Sequence, residues 1–560
     1  MRISLMLALA LIAGKCYSQN PIPIPDTLTG TTINLTMHPD SVQFLPGTKT
    51  YTNAFNQYSY LGPTIILNKG DMMTMNVTNR LPDTTTVHWH GLHVPAMADG
   101  GPHTVILSGD TWSPMFEVKN NASTFWYHPH THMKTGQQAM RGAAGLIIVR
   151  DSQEATLNLP RRYGIDDFPI VVQSQQFDSD NQILWRGMHD STMFVNGVEN
   201  PSLDVPGQVV RLRLLNASQE RNYNFGLTGN KTFYVIGNDG GLLNAPVQVT
   251  RIRLSPGERA EVLVDFSAEI GQTLYLMSYA SEFGFGIQGG TPMPGMDTAM
   301  YSPINGIDFN ILQFNVTVPT VNPVMTIPTT LAINTPWLES QSMMSRAITI
   351  TAQNMMSMDG PFYFNGNLFD MNRIDYTIPL DNIEVWTISN VTMVAHPFHI
   401  HDVQFYVLDR DGVTAPPQEA GPKDVVMVGP QQTVRFITKF EDYADSMMSY
   451  MYHCHILMHE DDGMMGQFIV VPQINKVPEI GSKELTLYPN PVSQQFTVRL
   501  PEAFTGSMLK VYDATGRVVM QERVENAGQI QLGAQGWIPG LYTVEVTGDS
   551  GQLWKRFIKQ

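Results

Sequence analysis

The chain has 560 residues, with 34 Lys and Arg against 50 Asp and Glu and a net charge of −16, which excludes a nucleic-acid surface or an anionic membrane as its natural partner. Its length allows three or four domains. After the first residues, no stretch approaches the roughly twenty apolar residues that a transmembrane helix needs.

The opening "MRISLMLALALIAGKCYSQN" puts Arg2 before a short apolar run and reads as a signal peptide over residues 1–18, with cleavage after Ser18 and Gln19 first in the mature chain. A lipoprotein reading of Cys16 is disfavoured because Lys15 stands where a small residue is wanted. If Cys16 leaves with the peptide, Cys454 is the sole cysteine and no intramolecular disulfide can form. A lone cysteine in an exported chain is a reactive thiol, a bland buried side chain or a metal ligand.

From there the sequence reads as short strands bounded by Gly, Pro, Asn and Asp, among them "MMTMNVTNRLP", "VVRLRLLNAS", "AEVLVDFS", "IEVWTISN" and "TVRFITKF". Helical periodicity is scarce, so an all-β protein of antiparallel Greek-key sandwiches is expected. Three blocks, 19–152, 160–320 and 325–475, are each of sandwich size. The middle block has none of the histidine motifs described next, and its expected job is to space and orient the outer two. Beyond Pro472 a linker leads to a small C-terminal sandwich, 482–560.

Ten of the fifteen histidines fall in four motifs: "HWHG" with His88 and His90, "WYHPH" with His128 and His130, "HPFHIH" with His396, His399 and His401, and "HCHILMH" with His453, His455 and His459. Random scatter would not give four His-x-His pairs, one enclosing the cysteine. In an extended strand, neighbouring side chains face opposite ways, so Cys454 points one way while His453 and His455 point the other. On the cysteine side His396 and His459 complete a His-Cys-His set, with Met464 at the spacing of a weak axial ligand, which is a blue-copper donor set. On the other side eight imidazoles remain, enough for a three-copper cluster. A structural zinc site stops at four ligands, and a catalytic Cys-His pair needs one imidazole.

These motifs, in this order and spacing, resemble the multicopper oxidases over about residues 30 to 475. "VHWHGLHVPAMADGGP", "GAAGLIIV", "FNGNLFDMNRIDYTI" and "HEDDGMM" look most like the branch with three cupredoxin-like domains that holds copper-efflux oxidases, spore-coat laccases and bilirubin oxidases. The resemblance implies four copper ions. His396, Cys454, His459 and Met464 would hold the type 1 copper, His88 and His399 the type 2 copper, and His90, His128, His130, His401, His453 and His455 the type 3 pair. It also implies one-electron oxidation of a reductant at the type 1 site and four-electron reduction of dioxygen to water at the cluster. His459 would admit electrons, Cys454 would pass them to its flanking histidines, and Asp99 and Glu460 match acidic positions that deliver protons.

A phenolic or aromatic-amine reductant, as for a laccase or bilirubin oxidase, is the favoured expectation. Cu(I) is the alternative, because thioethers favour it and Met355, Met356 and Met358 cluster beside Asp359. Flexible methionines also pack cores. The Met- and His-rich insert of efflux oxidases is absent, and Thr392 and Val394 stand where they carry Asp and Met. A non-enzymatic copper-binding or scaffold protein on the same fold is the reading of another class. His93, His103 and His132, close to the motifs, are either supports for ligands or surface histidines, and His38 and His189 carry no signal.

The tail, with "YPNP", a Gly-Leu-Tyr strand and a basic end, resembles the C-terminal sorting domains of the type IX secretion system. That implies passage across an outer membrane, later loss of the tail, and a secreted or cell-surface product. A small adhesive or carbohydrate-binding sandwich is the alternative.

Overall fold

The computed structural model describes residues 19–187, 189–292, 295, 301–354, 358, 360–473, 485–501, 504–525, 528–548 and 551–560. The expected signal peptide, Met355, Met356 and Asp359 lie outside them. The chain divides into two compact units, 1–472 and 473–560. In both, the regular secondary structure is almost all strand.

Alternation in sequence becomes alternation in burial. In Met72–Asn79, Met73, Met75, Val77 and Asn79 are buried while Thr74, Asn76 and Thr78 are partly exposed, as a pleated strand with one face on a core requires. That strand belongs to a sheet ordered Thr50–Phe55, Thr32–Val42, Met72–Asn79, Thr111–Trp112. Its partner sheet runs Thr27–Leu28, Thr64–Asn68, Gly145–Arg150, Ser123–His128, His88–His90. Ile33, Met75, Trp89, Phe125 and Ile147 from the two sheets share one core. Ser123–His128 and His88–His90 are buried on both faces. One face meets this core, and the other carries His88, His90 and His128.

The second sandwich pairs a seven-stranded with a six-stranded sheet around Ile170, Leu212, Phe225, Val262 and Phe314. The N-terminal Asn20–Pro21 adds to its edge beside Pro201–Pro206. The third has a five-stranded sheet ordered Tyr376–Pro379, Met465–Val471, Asp445–Cys454, His396–Ile400, Val425–Val428, packed on a six-stranded sheet around Ile348, Trp386, Phe398 and Phe436. In the C-terminal unit, three- and four-stranded sheets enclose Phe496, Val498, Val544 and Phe557. Among the described residues no helix is long and apolar enough to cross a membrane.

Candidate metal centre

Register explains how one pair of strands serves two sites. His396–Ile400 runs antiparallel to Asp445–Cys454 with Phe398 opposite Cys454 and His399 opposite His453. Alternation then places His396 on the face of Cys454, and His399 and His401 on the face of His453. Cys454 Sγ lies 3.5 Å from His396 Nδ1 and 3.6 Å from His459 Nδ1. His459 rides on the short helix Leu457–Asp461. The Met464 amide donates to the His459 carbonyl at 2.8 Å and its carbonyl accepts from the Cys454 amide at 3.1 Å, closing the loop that carries these residues. Phe362 covers the pair, its ring 4.6 Å from that of His396 and 4.5 Å from that of His459. All four side chains are buried. Burial pushes the Cys454 thiol up and both imidazoles down, His459 to about 3, so the set is neutral until a cation enters.

The other face meets the first sandwich. Ring nitrogens of His88, His399 and His401, of His90, His128 and His455, and of His130, His401 and His453 form three sets, each with its atoms within 4.8 Å of one another. The rings of His88 and His401 stack at 3.8 Å and those of His90 and His399 at 3.9 Å, each pair bridging the two sandwiches. Acceptor-only partners reveal the tautomers, because a ring nitrogen facing a carbonyl or carboxylate must donate. The Nδ1 groups of His88, His128, His399 and His453 donate to the carbonyls of Asp99, Pro129, Asp424 and Cys454, at 2.9, 2.9, 2.8 and 3.1 Å. That of His401 donates to Asp99 Oδ2 at 2.8 Å. Each therefore turns a bare Nε2 inward. His90 is reversed: its Nε2 faces Asp424 Oδ1 at 3.1 Å and its Nδ1 looks toward His128 Nε2 at 3.3 Å.

Burial, reinforced by the neighbouring imidazoles, holds His90, His128, His130, His399 and His453 well below the usual histidine range. Burial also takes His401 to about 4 and His455 to about 3. The Nε2 atoms of His88 and His399 and both nitrogens of His455 are buried without a hydrogen-bond partner. Neutral imidazoles with bare lone pairs converging in a sealed space are costly by themselves and suited to metal cations. Imidazole with a single thiolate is a donor chemistry that copper takes readily.

Besides Asp424, two further buried carboxylates reach the cluster histidines. Asp99 holds His401 through Oδ2, and its Oδ1 lies 3.4 Å from His88 Nδ1. Burial raises the Asp99 carboxyl, but His401 and His88 outweigh it and hold it well below the usual range. Glu460 lies 3.4 Å from His130 Nδ1 and 3.2 Å from His453 Nδ1 without hydrogen-bonding geometry, and burial pushes it well above the ordinary carboxyl range.

Of the other histidines, His93 bridges Asp402 at 2.8 Å and Asp442 at 3.1 Å; burial lowers its pKa, but Asp402 outweighs that and raises it to about 9. His103 meets Gln467 at 2.7 Å, and His132 lies against Phe369. None of the three enters the three histidine sets. Thr392 Oγ1 sits 3.2 Å from His396 Nε2, and Met358 and Val394 line a cavity with Phe285 and Ile287. Sequence reasoning missed Asp424. Its signal was a Lys-Asp pair opening the apolar strand Val425–Val428, where charge is buried only with a purpose.

Comparison with known proteins gives these features a family. Three multicopper oxidase family models match residues 36–154, 163–296 and 340–473, and a secretion system C-terminal sorting domain matches 486–560. Multicopper oxidase mco of Staphylococcus haemolyticus (strain JCSC1435) is 35% identical over 437 residues, covering 76% of this chain and 86% of that protein. Cell division protein FtsP of Escherichia coli (strain K12) is 31% identical over 479 residues, covering 83% and 96%. The laccase-like multicopper oxidase CueO from the lignin-degrading bacterium Ochrobactrum sp., with oxidase activity towards lignin model compounds and lignosulfonate, superimposes with a TM-score of 0.71 at 32% identity, over 80% of this chain and all of that one. The chain belongs to the multicopper oxidase family, copper-dependent oxidoreductases, and ends in a secretion-type sorting domain.

Proposed function

We propose that this is an exported laccase-type oxidase that couples one-electron oxidation of phenols or aromatic amines to reduction of dioxygen to two waters. The observation that carries this reading is the convergence of eight buried histidines on one face of the strand pair while Cys454, His396 and His459 gather on the other. In this reading four coppers are held, a type 1 ion by His396, Cys454, His459 and Met464, and a type 2 ion by His88 and His399. The type 3 pair divides into His90, His128 and His455 for one ion and His130, His401 and His453 for the other. Bound copper supplies the one-electron acceptor beside Cys454 and the site where dioxygen takes up four electrons.

The protein's own part is placement. In this reading electrons enter through His459, although its ring lies buried beneath Phe362 and offers no exposed edge, and Cys454 is bonded through the chain to His453 and His455, a short covalent route between the sites. Oxygen reduction consumes four protons for four electrons. Asp99 holds His401 and lies beside His88, and Glu460 approaches His130 and His453, so each carboxylate serves one side of the cluster.

We divide the mature chain at 19–152, 160–320, 325–475 and 482–560, with leader and sorting domain removed on export and the product released or held at the surface. Oxygen uptake by copper-loaded protein, with a phenol and with Cu(I) in parallel while blue absorption is recorded, tests the reading. Phenol-driven uptake yielding water supports it; faster uptake with Cu(I) replaces it with a cuprous oxidase. The second reading, a non-enzymatic role, draws on the similarity to the cell division protein. No uptake with either reductant by fully loaded protein would establish it.

A further inference from the structure

Asp424 touches both histidines whose rings stack across the sandwich junction, and it touches them differently. Its Oδ1 accepts from His90 Nε2 at 3.1 Å, and its main-chain carbonyl accepts from His399 Nδ1 at 2.8 Å. A carboxylate and a carbonyl can only accept, so the first contact leaves the lone pair of His90 on Nδ1 and the second leaves that of His399 on Nε2. One residue thereby orients two imidazoles 3.9 Å apart in opposite senses.

What holds Asp424 comes from the sandwich that has no histidine motif. Arg259 grips it with both guanidinium arms, Nη1 to Oδ1 and Nη2 to Oδ2, each at 2.6 Å. The same guanidinium donates to the Thr124 carbonyl of the first sandwich at 3.1 Å and to the Asp239 carbonyl at 2.8 Å. Asp239 Oδ2 in turn accepts from Lys423 Nζ at 2.9 Å and from the Asp424 amide at 3.3 Å. Gly91, the residue after His90, has φ +85, and a Cβ there would meet Arg259 Nη2 at 2.7 Å and strike the Asp424 carboxylate. The glycine of "HWHG" is thus demanded by this ion pair. Only a planar fork makes two parallel bonds to one carboxylate, so lysine cannot replace Arg259 in kind.

We propose that Asp424 is a positioning residue that sets the opposed tautomers of His90 and His399, and that Arg259, from the middle sandwich, clamps it and thereby makes that sandwich part of the cluster's construction. The inference rests on the reading of His90 and His399 as copper ligands.

The test uses the full-length, copper-loaded protein and follows copper loss to a chelator, with blue absorption read in the same sample. Asp424→Asn is expected to release cluster copper about 10- to 100-fold faster, the range for loss of a ligand's hydrogen-bond partner, with blue absorption unchanged. Arg259→Lys, which keeps the charge and loses the fork, is expected to fall between Asp424→Asn and wild type. Wild-type copper retention in Asp424→Asn would overturn the proposal. So would parallel loss of blue absorption in both variants, which would mark Asp424 as a general support of the fold. Wild-type protein that binds copper only beside Cys454 would instead overturn the ligand reading and this inference with it.

Discussion

The cysteine site and the histidine cluster share a strand pair but are built on different principles. His396, Cys454, His459 and Met464 lie within 69 residues of one another in a single sandwich, tied by the main-chain bonds of Met464 to Cys454 and His459. The cluster takes four histidines from each of the outer two sandwiches, and the middle sandwich closes it. Gly257 there has φ +85 and would drive a Cβ to 2.8 Å from the His455 ring, so its backbone lies directly on a cluster histidine. The cysteine site is a property of one core, whereas the cluster is a property of how three cores dock.

The largest expected effects come from substitutions that separate the two. Cys454→Ser should abolish blue absorption and drop oxygen uptake to background while copper remains at the cluster. His130→Ala should do the reverse, losing cluster copper and uptake with the blue absorption intact. Copper content and visible spectra on the same preparations check both, and joint loss in either variant would contradict the separation.

Next comes the docking itself. Glu261 accepts from Arg213 at 2.5 Å, from Arg211 Nε at 3.0 Å and from Thr124 Oγ1 at 2.6 Å, and Thr124 lies on the strand that carries His128. Asp167 and Glu154 complete the buried network through Arg213 and Arg211. Burial raises these carboxyls, but the arginines outweigh it and all three end below their ordinary values. Groups lowered on folding contribute stability above their unfolded pKa, about 4, and lose it as pH falls through the folded values. Thermal unfolding followed from pH 6 to pH 3 should therefore show a loss beginning near pH 4. Glu261→Gln, which leaves two buried arginines short of a partner, should cost about 3–5 kcal/mol. Copper should leave the cluster before blue absorption fades.

Asp99→Asn sharpens the contrast within the cluster. It keeps a side chain of the same shape beside His401 and removes the carboxylate, so blue absorption should persist while turnover falls by about 10²-fold, the lower range for a positioned acid or base. Steady-state oxygen uptake with a phenol reads this directly, and unchanged turnover would end the proton-delivery role.

Much of this is legible in the sequence, for a definite reason. A period of two is a local property, so "HCH" and "HPFHIH" announce opposed faces, and the alternation in Met72–Asn79 announces a one-sided strand. What stayed hidden is long-range. Asp424 lies 334 residues from His90 and 165 from Arg259, and no local pattern pairs them. The reversed orientation of His90, the division of the cluster into three sets, and the part played by the middle sandwich all depend on docking between cores. Periodicity does not encode that docking. The sequence leaves His93 as a support for ligands or a surface residue, and the fold makes it an ion-pair bridge for the same reason, since Asp442 reaches it from 349 residues away.

The smallest effect is expected from the second unit, which holds no residue of the histidine sets or of the cysteine set. Leu485, Phe496, Val498, Leu509, Tyr542, Val544 and Phe557 form a core within the second unit. No residue of the histidine sets or of the cysteine set lies beyond Met464. A chain ended at Pro472 therefore keeps every core and every donor described for the first unit, and a unit with its own core folds by itself. Blue absorption, copper content and oxygen uptake of that truncated chain should match the full-length protein within about two-fold, while export from the cell should fail. Lost copper in the truncated protein would mean that the tail supports the oxidase fold, and unimpaired export would mean that it is no address. Retained activity with failed export would show that the tail serves passage alone and the three docked sandwiches serve chemistry.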